Sequence, residues 1–284
     1  PYTTLFRSTP TEEEAHFGLW CIMSSPLLIG CNLENMPDSS LELLTNKELI
    51  SLNQDPLGLQ AYVAQHENEG YVLVKDIEQK RGNVRAVALY NPSDTICSFS
   101  VPFSSLEFGG NVKVRDLVKH SDLGNFSGTF EQTLPAHSAM FLRIEGETRL
   151  EPTLYEAEWA YLPLFNDLGK NPKGIIYAHD KEASGKMKVG FLGGQPENYA
   201  EWREVYSENG GRYDMTIHYL YGKGRQIELD VNGIITKIDS LGKDNGHNQI
   251  TVPVELKAGY NTIRMGNSYN WAPDIDCFTL TKAL

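Results

Sequence analysis

Two glutamates one residue apart, Glu156 and Glu158, and a distant aspartate, Asp276, form the pattern in this chain that most asks for chemistry. If residues 155–159 form a strand, Tyr155, Ala157 and Trp159 share one face and both glutamates share the other. Asp276 lies in phase with Phe278 and Leu280, an apolar face on which a lone carboxylate is expensive to bury. A cation resolves the conflict. If the first and last strands of this region pair, three carboxylates converge, and Ca²⁺ takes about six to eight oxygen ligands. On pattern alone, glutamates that simply face water stay open as the alternative. Other polar residues read as structural. Arg115 and Asp116 point to opposite faces of a strand end, His137 stands in a tight turn, and Glu12, Glu13 and Glu14 fill a first helical turn favoured by the helix dipole. Cys21, Cys31, Cys97 and Cys277 sit in apolar contexts without metal spacing, so buried thiols are expected. A Cys21–Cys31 bridge stays open in an oxidising compartment.

Those carboxylates need a β framework to position them. Residues 154–284 supply alternating runs, Met215–Tyr221, Arg225–Val231, Ile234–Ile238, Ile250–Val254 and Asn261–Met265, with Asn232-Gly233 favouring a two-residue hairpin. Residues 59–147 repeat the pattern in Tyr71–Lys75, Val84–Tyr90, Ile96–Val101, Val112–Arg115, Phe126–Leu134 and Ala139–Ile144. The pattern over 59–147 predicts an antiparallel sandwich, that over 154–284 a further unit of alternating strands, and residues 148–153, charged and ending near a proline, predict a linker. The start of the chain is different. Phe17, Trp20 and Cys21 make a helix stripe, Leu27-Leu28-Ile29 reads as a strand buried on both faces, and a second helix carries Leu41, Leu43, Leu44, Leu49, Ile50 and Leu52. Asp38, Ser39 and Ser40 are its cap candidates, and Asp55-Pro56 with Gly58 stops it. Helix, strand, helix is one and a half units of a parallel α/β architecture, which does not stand alone.

Composition narrows the classes. The 284 residues leave room for about two domains, and no apolar run approaches the length of about 18 that suggests a membrane helix, so no membrane insertion is expected. A formal net charge of −12 argues against a nucleic-acid partner, whose phosphates demand clustered Lys and Arg.

Three segments near the start, His16-Phe17-Gly18-Leu19-Trp20, Ser25-Pro26-Leu27-Leu28-Ile29-Gly30 and above all Asn53-Gln54-Asp55-Pro56-Leu57-Gly58, resemble the end of the catalytic barrel of glycoside hydrolase family 27, the α-galactosidases. Val87–Asn91, Val114–Leu117 and Pro135–Ser138 resemble the β domain that follows that barrel. The resemblance implies a mostly β chain: an incomplete (β/α)8 barrel remnant at 9–58, then two antiparallel β-sandwich domains. It also implies a retaining glycosidase that works with two aspartates about 5 Å apart. By the family's strand order both lie upstream, so no catalytic residue is expected in this chain. Asn32 stands where the family usually has an aspartate, and the loss of that negative charge would alter the rim of a sugar pocket or a hydrogen bond behind it. Residues 1–8, Pro1-Tyr2-Thr3-Thr4-Leu5-Phe6-Arg7-Ser8, have no family counterpart, and one reverse translation of them is a common sequencing adapter. They are expected to be a non-native scar, which the nucleotide sequence decides.

Asn198–Trp202, Gly210–Tyr213, Val231–Gly233, Gly259–Ile263 and Ile275-Asp276, together with Glu156-Ala157-Glu158, resemble a carbohydrate-binding module of families 6 and 35. The resemblance implies a structural Ca²⁺ near both termini, with Glu156, Glu158 and Asp276 as ligands. It also implies sugar binding in the final loop, Gly266–Pro273. There Trp271 offers a flat apolar ring for sugar C–H groups, and Asn267 and Asn270 offer donors and acceptors, unless Trp271 folds back over the sandwich end. Tyr177 and Tyr199 are weaker candidates. The expected function is thus the C-terminal part of an extracellular or periplasmic α-galactosidase with an appended module for galactose-containing oligo- or polysaccharide. A purely sugar-binding fragment is one alternative, and a same-family β-L-arabinopyranosidase or α-N-acetylgalactosaminidase is another.

Overall fold

A computed structural model of the chain describes residues 8–30, 33–67, 69–166, 174–239, 241–242 and 244–283. Residues 1–7 of the expected scar, Asn32, and Cys31 with its suggested pairing to Cys21 lie outside the described residues. The chain divides into two units, Pro1–Leu150 and Glu151–Leu284.

In the first unit the opening helix begins where the sequence provides a cap. The Thr9 hydroxyl accepts the Glu12 amide, the Glu12 carboxylate accepts the Thr9 amide at 2.6 Å, and Pro10 opens α1 (Pro10–Ile22). The helix expected over 38–52 is two, α2 (Asp38–Leu44) and α3 (Lys47–Asn53). Asn46 separates them, because its side-chain oxygen accepts the Glu48 and Leu49 amides and its amide donates to Leu117 O at 3.0 Å. Residues 27–29 form no strand. Leu28 is 84% exposed and Ile29 56%, because such a strand needs a neighbour on each edge and the described residues give it none.

Eight strands follow: β1 (Tyr62–Glu67), β2 (Gly70–Asp76), β3 (Val84–Asn91), β4 (Cys97–Pro102), β5 (Phe108–Asp116), β6 (Ser121–Ser127), β7 (Thr129–Leu134) and β8 (Ser138–Arg149). The expected strand over 126–134 is split between β6 and β7. A sheet in the order β1-β2-β3-β8-β5-β6 faces the pair β4-β7, and Val72, Val87, Leu89, Phe99, Phe130 and Leu142 fill the space between. The other face of the large sheet carries small residues, Ala86, Ala88 and Ala139, which lets α1 and α3 lie close with Cys21, Ile22, Leu49 and Leu52 buried. Gly18 shows how close: a Cβ there would stand 2.1 Å from the Phe141 ring. The barrel-like helices are thus folded onto the sandwich as one unit. β8 runs through Arg149, into the expected linker, because that guanidinium donates to Gly82 O, Asp76 and Glu107 at 2.8–2.9 Å.

The second unit contains β9 (Leu154–Glu156), β10 (Ile176–His179), β11 (Met187–Gly190), β12 (Tyr199–Ser207), β13 (Gly211–Leu220), β14 (Ile227–Val231), β15 (Ile234–Ile238), β16 (Asn248–Leu256), β17 (Gly259–Gly266) and β18 (Asp274–Lys282). One sheet runs β10-β11-β18-β13-β16 with β9 also on β18, and the other runs β12-β17-β14-β15. Asn232-Gly233 closes the β14–β15 hairpin, with Val231 opposite Ile234. Between the sheets Trp202, Met215, Ile217, Ile263, Met265 and Phe278 are buried, and Tyr155 stacks on Phe278 at 4.9 Å. First and last strands therefore pair, as the carboxylate argument required.

Candidate functional site

The carboxylate cluster is assembled by a bulge. Along β18, His218 of β13 faces Cys277 and Tyr219 faces Ile275, so Asp276 is an extra residue in its strand. The bulge lets Ile275 and Phe278, three positions apart, both enter the core, which a regular strand forbids. It also corrects the expected phase: Asp276 leaves the Phe278–Leu280 face and joins Cys277 beside Glu156, which is paired with Cys277 from β9. Ligand atoms of Glu156, Asp276 and Cys277 all lie within 4.8 Å of one another, and all three residues are buried.

Glu158 arrives by another route than expected. After Glu156 the chain leaves β geometry for a single 3₁₀ turn, Ala157–Trp159, so strand alternation does not align the two glutamates. Yet both crowd one spot: a Cβ on Gly185, a left-handed residue at φ +58°, would stand 2.6 Å from Glu158 Oε1 and 3.7 Å from Glu156 Oε1. Ser184 closes the cluster, its amide donating to Asp276 Oδ1 at 2.9 Å and its hydroxyl to Glu156 Oε1 at 2.5 Å. The buried Trp202 indole donates to Glu156 O at 2.8 Å and fixes the end of β9.

The donors run out there. Glu156 Oε2 and Glu158 Oε2 are buried without a hydrogen-bond partner, and among the described residues no lysine or arginine pairs with the three carboxylates. Burial pushes Glu156 up to about 7 against the Ser184 hydrogen bond, with Asp276 repulsion adding to the rise. Glu158 is pushed up to about 8, by burial first and then by Glu156 and Asp276. Burial likewise takes Asp276 to about 6, although the Ser184 amide opposes it. Orphaned, oxygen-rich and short of positive charge, this donor set fits Ca²⁺.

The final loop is built differently from its expected use. Asn267 is 5% exposed, and its Oδ1 accepts the Tyr269 and Asn270 amides at 3.1 Å. Its side chain shapes the loop instead of facing a ligand, because an Asx turn consumes its acceptor. Asn270 is exposed, and its carbonyl, with that of Asn267, accepts the Gly194 amide. Trp271 does not fold back: it is 47% exposed and meets Phe191, 43% exposed, at 6.1 Å and 86°. Two open rings at a right angle make a corner, and sequence reasoning missed Phe191. The signal was present, since Gly190-Phe191-Leu192-Gly193-Gly194 sets an aromatic among turn residues just as Trp271 is set. Tyr199 lies opposite Gly266 at the base of the loop, beneath the Arg264 guanidinium at 4.9 Å. Tyr177 packs on Phe165 at 4.7 Å, and its hydroxyl reaches Glu158 O at 3.4 Å, which sets it beside the carboxylate cluster.

Known proteins match the first unit. Residues 6–55 match the family model described as "Alpha galactosidase A", and residues 69–144 match the "Alpha galactosidase C-terminal beta sandwich domain". Alpha-galactosidase 3 of Arabidopsis thaliana is 39% identical over 45% of this chain and 30% of its own length. Residues 6–55 and 69–144 are thus similar to the α-galactosidase family. The α-galactosidase of Cyamopsis tetragonoloba is 33% identical over 46% of the chain and 31% of its own length, so the chain spans about a third of these curated relatives. In fold alone, the chain is similar to an isomaltodextranase of Arthrobacter globiformis T6 complexed with panose. That likeness has a TM-score of 0.55 at 18% identity and covers 96% of this chain and 48% of that one. Within this α-galactosidase-like unit, the Asn53–Gly58 motif does structural work. The Asn53 amide donates to Ser25 O at 2.7 Å, and the Asp55 carboxylate accepts the Leu57 and Glu78 amides, tying the end of α3 to the chain after β2. Cys21 and Cys97 are buried, as expected of them.

Proposed function

We propose that the chain is the sugar-holding C-terminal part of a secreted retaining α-galactosidase, its second unit a Ca²⁺-pinned module for galactose-containing oligo- or polysaccharide. The observation that carries the binding role is the exposed right-angle corner of Trp271 and Phe191 on the final loop. A pyranose laid on the Trp271 face meets the Phe191 edge as a wall, while the exposed Asn270 amide supplies a donor and an acceptor for hydroxyls. Asn267 keeps the loop in shape and Tyr199 borders it. Galactosides are the ligand class because the α-galactosidase-like unit precedes the module in the same chain. Ca²⁺ supplies positive charge between β9 and β18, with Glu156 and Asp276 as side-chain ligands and Glu158, which crowds Gly185 beside Glu156, as the third. No catalytic residue is assigned to this chain.

Titration with galactomannan tests the reading. Trp271→Ala is expected to weaken binding at least about tenfold, equivalent to about 1.4 kcal/mol, with an unchanged melt. Retained affinity removes the corner from the site. The chain alone is expected to show no turnover of an aryl α-galactoside, and measurable turnover refutes the assignment of catalysis elsewhere.

A further inference from the structure

The bulge that brings Asp276 to Glu156 also brings a thiol. Cys277, 4% exposed, pairs in register with Glu156, and its Sγ lies within 4.8 Å of ligand oxygens of both Glu156 and Asp276. In a regular strand residues 276 and 277 would face opposite ways, so this mixed donor set exists only because the strand is bulged there. Ca²⁺, a hard cation, takes oxygen ligands and has no use for sulfur. Zinc-class cations bind carboxylate oxygen at about 2.0–2.2 Å and thiolate sulfur at about 2.3 Å, which sets neighbouring ligand atoms about 3.5 Å apart. Side-chain rotations that draw the three donors about 1 Å closer are enough. An independent observation points to a cation: the Glu156 carboxylate, 5% exposed, keeps Oε2 without a hydrogen-bond partner.

We propose that Glu156, Asp276 and Cys277 form a binding site for a thiophilic divalent cation, Zn²⁺ or Cd²⁺, which competes with Ca²⁺ at the strand junction. The location rests on the calcium reading of the same cluster, whereas the thiol ligand does not. On binding, the Cys277 S–H bond breaks, a sulfur–metal bond forms and the proton leaves to solvent, so two carboxylates and a thiolate leave the loaded site with one net negative charge. Occupancy clips β9 to β18 just as Ca²⁺ does, but through a bond that hard cations cannot make.

Cd²⁺ is the probe, added to the full chain freed of other metals and held reduced. The expected result is one ultraviolet cadmium–thiolate absorption band per chain, with one proton released from the thiol in addition to any that Glu156 and Asp276 still carry at the working pH. Cys277→Ser is expected to abolish the band while the rise in melting temperature with Ca²⁺ persists, and Glu156→Gln to weaken Cd²⁺ binding at least about tenfold. Cys277→Ala serves as the second variant if the serine destabilises the strand. No band in the parent chain, or a band that survives both cysteine variants, overturns the proposal. A Cys277-dependent band without any Ca²⁺ response sinks the calcium reading and the competition with it, and leaves only the thiolate site standing; the reverse result overturns the thiolate site and keeps the calcium reading.

Discussion

Removing Ca²⁺ should destabilise the second unit in a pH-dependent way, and the sign follows from the buried carboxylates. In the ion-free unit Glu156, Glu158 and Asp276 ionise at about 7, 8 and 6, above their ordinary range, with burial as the main cause. A carboxyl that is harder to ionise folded than unfolded contributes full stability below the ordinary carboxylate range and loses it as pH rises through the folded value. Holding Glu156 ionised costs about 3 kcal/mol relative to an ordinary glutamate, and Glu158 somewhat more. Because the three share one cluster, a total on the order of 5 kcal/mol at pH 8 is the working figure. For a unit of this size that corresponds to a fall of about 15 °C in melting temperature. The cation cancels the penalty only where the ligands are ionised, so EDTA should lower the melt strongly at pH 8 and barely at pH 5, read by calorimetry with and without Ca²⁺. Glu158→Gln should raise the ion-free melt at pH 8 and abolish the Ca²⁺ response. An EDTA effect equal at both pH values, or none at pH 8, refutes the reasoning.

The first unit should respond to acid in the opposite sense. Burial raises Asp76 and Glu107, but Arg85 and Arg149 outweigh it and hold both carboxyls below their ordinary range. Their stabilisation is therefore present above about pH 4 and is lost as pH falls through the folded values, so the first calorimetric transition should drop below about pH 4, and a transition flat down to about pH 2 contradicts it. Gly18→Ala should cost the same unit about 3 kcal/mol, measured by urea unfolding, because the added methyl meets the Phe141 ring at 2.1 Å. A loss under about 1 kcal/mol would mean that α1 is free to move off the sheet.

What the sequence displayed and what it hid divide along a physical line. The strand pattern, the Asn232-Gly233 hairpin and the turn at Asp55 were legible because period-two alternation, turn chemistry and a side-chain bond to a backbone amide two residues on are written within a few residues. The pairing of β9 with β18 enters the sequence argument only as a condition under which the three carboxylates converge, and the fold meets it. The bulge at Asp276 was not legible, since alternation assumes an unbroken register and the bulge exists only relative to β13. Likewise Asn267 looked like a ligand residue until the folded loop engaged its oxygen, and Leu27–Ile29 looked like a strand until neighbours were sought for it.

The contrast between two buried acidic clusters carries the cation argument furthest. In the first unit Asp76 and Glu107 are met by Arg81, Arg85 and Arg149, so burial is compensated by side chains and nothing more is needed. In the second unit three carboxylates converge under Ser184 and Gly185 with two oxygens unpartnered. A fold that keeps such charge in its first and last strands either protonates it or borrows a cation. Protonation would leave the strand junction strongest in acid, whereas a bound divalent ion makes it strongest near neutral pH, and the calorimetric comparison separates the two.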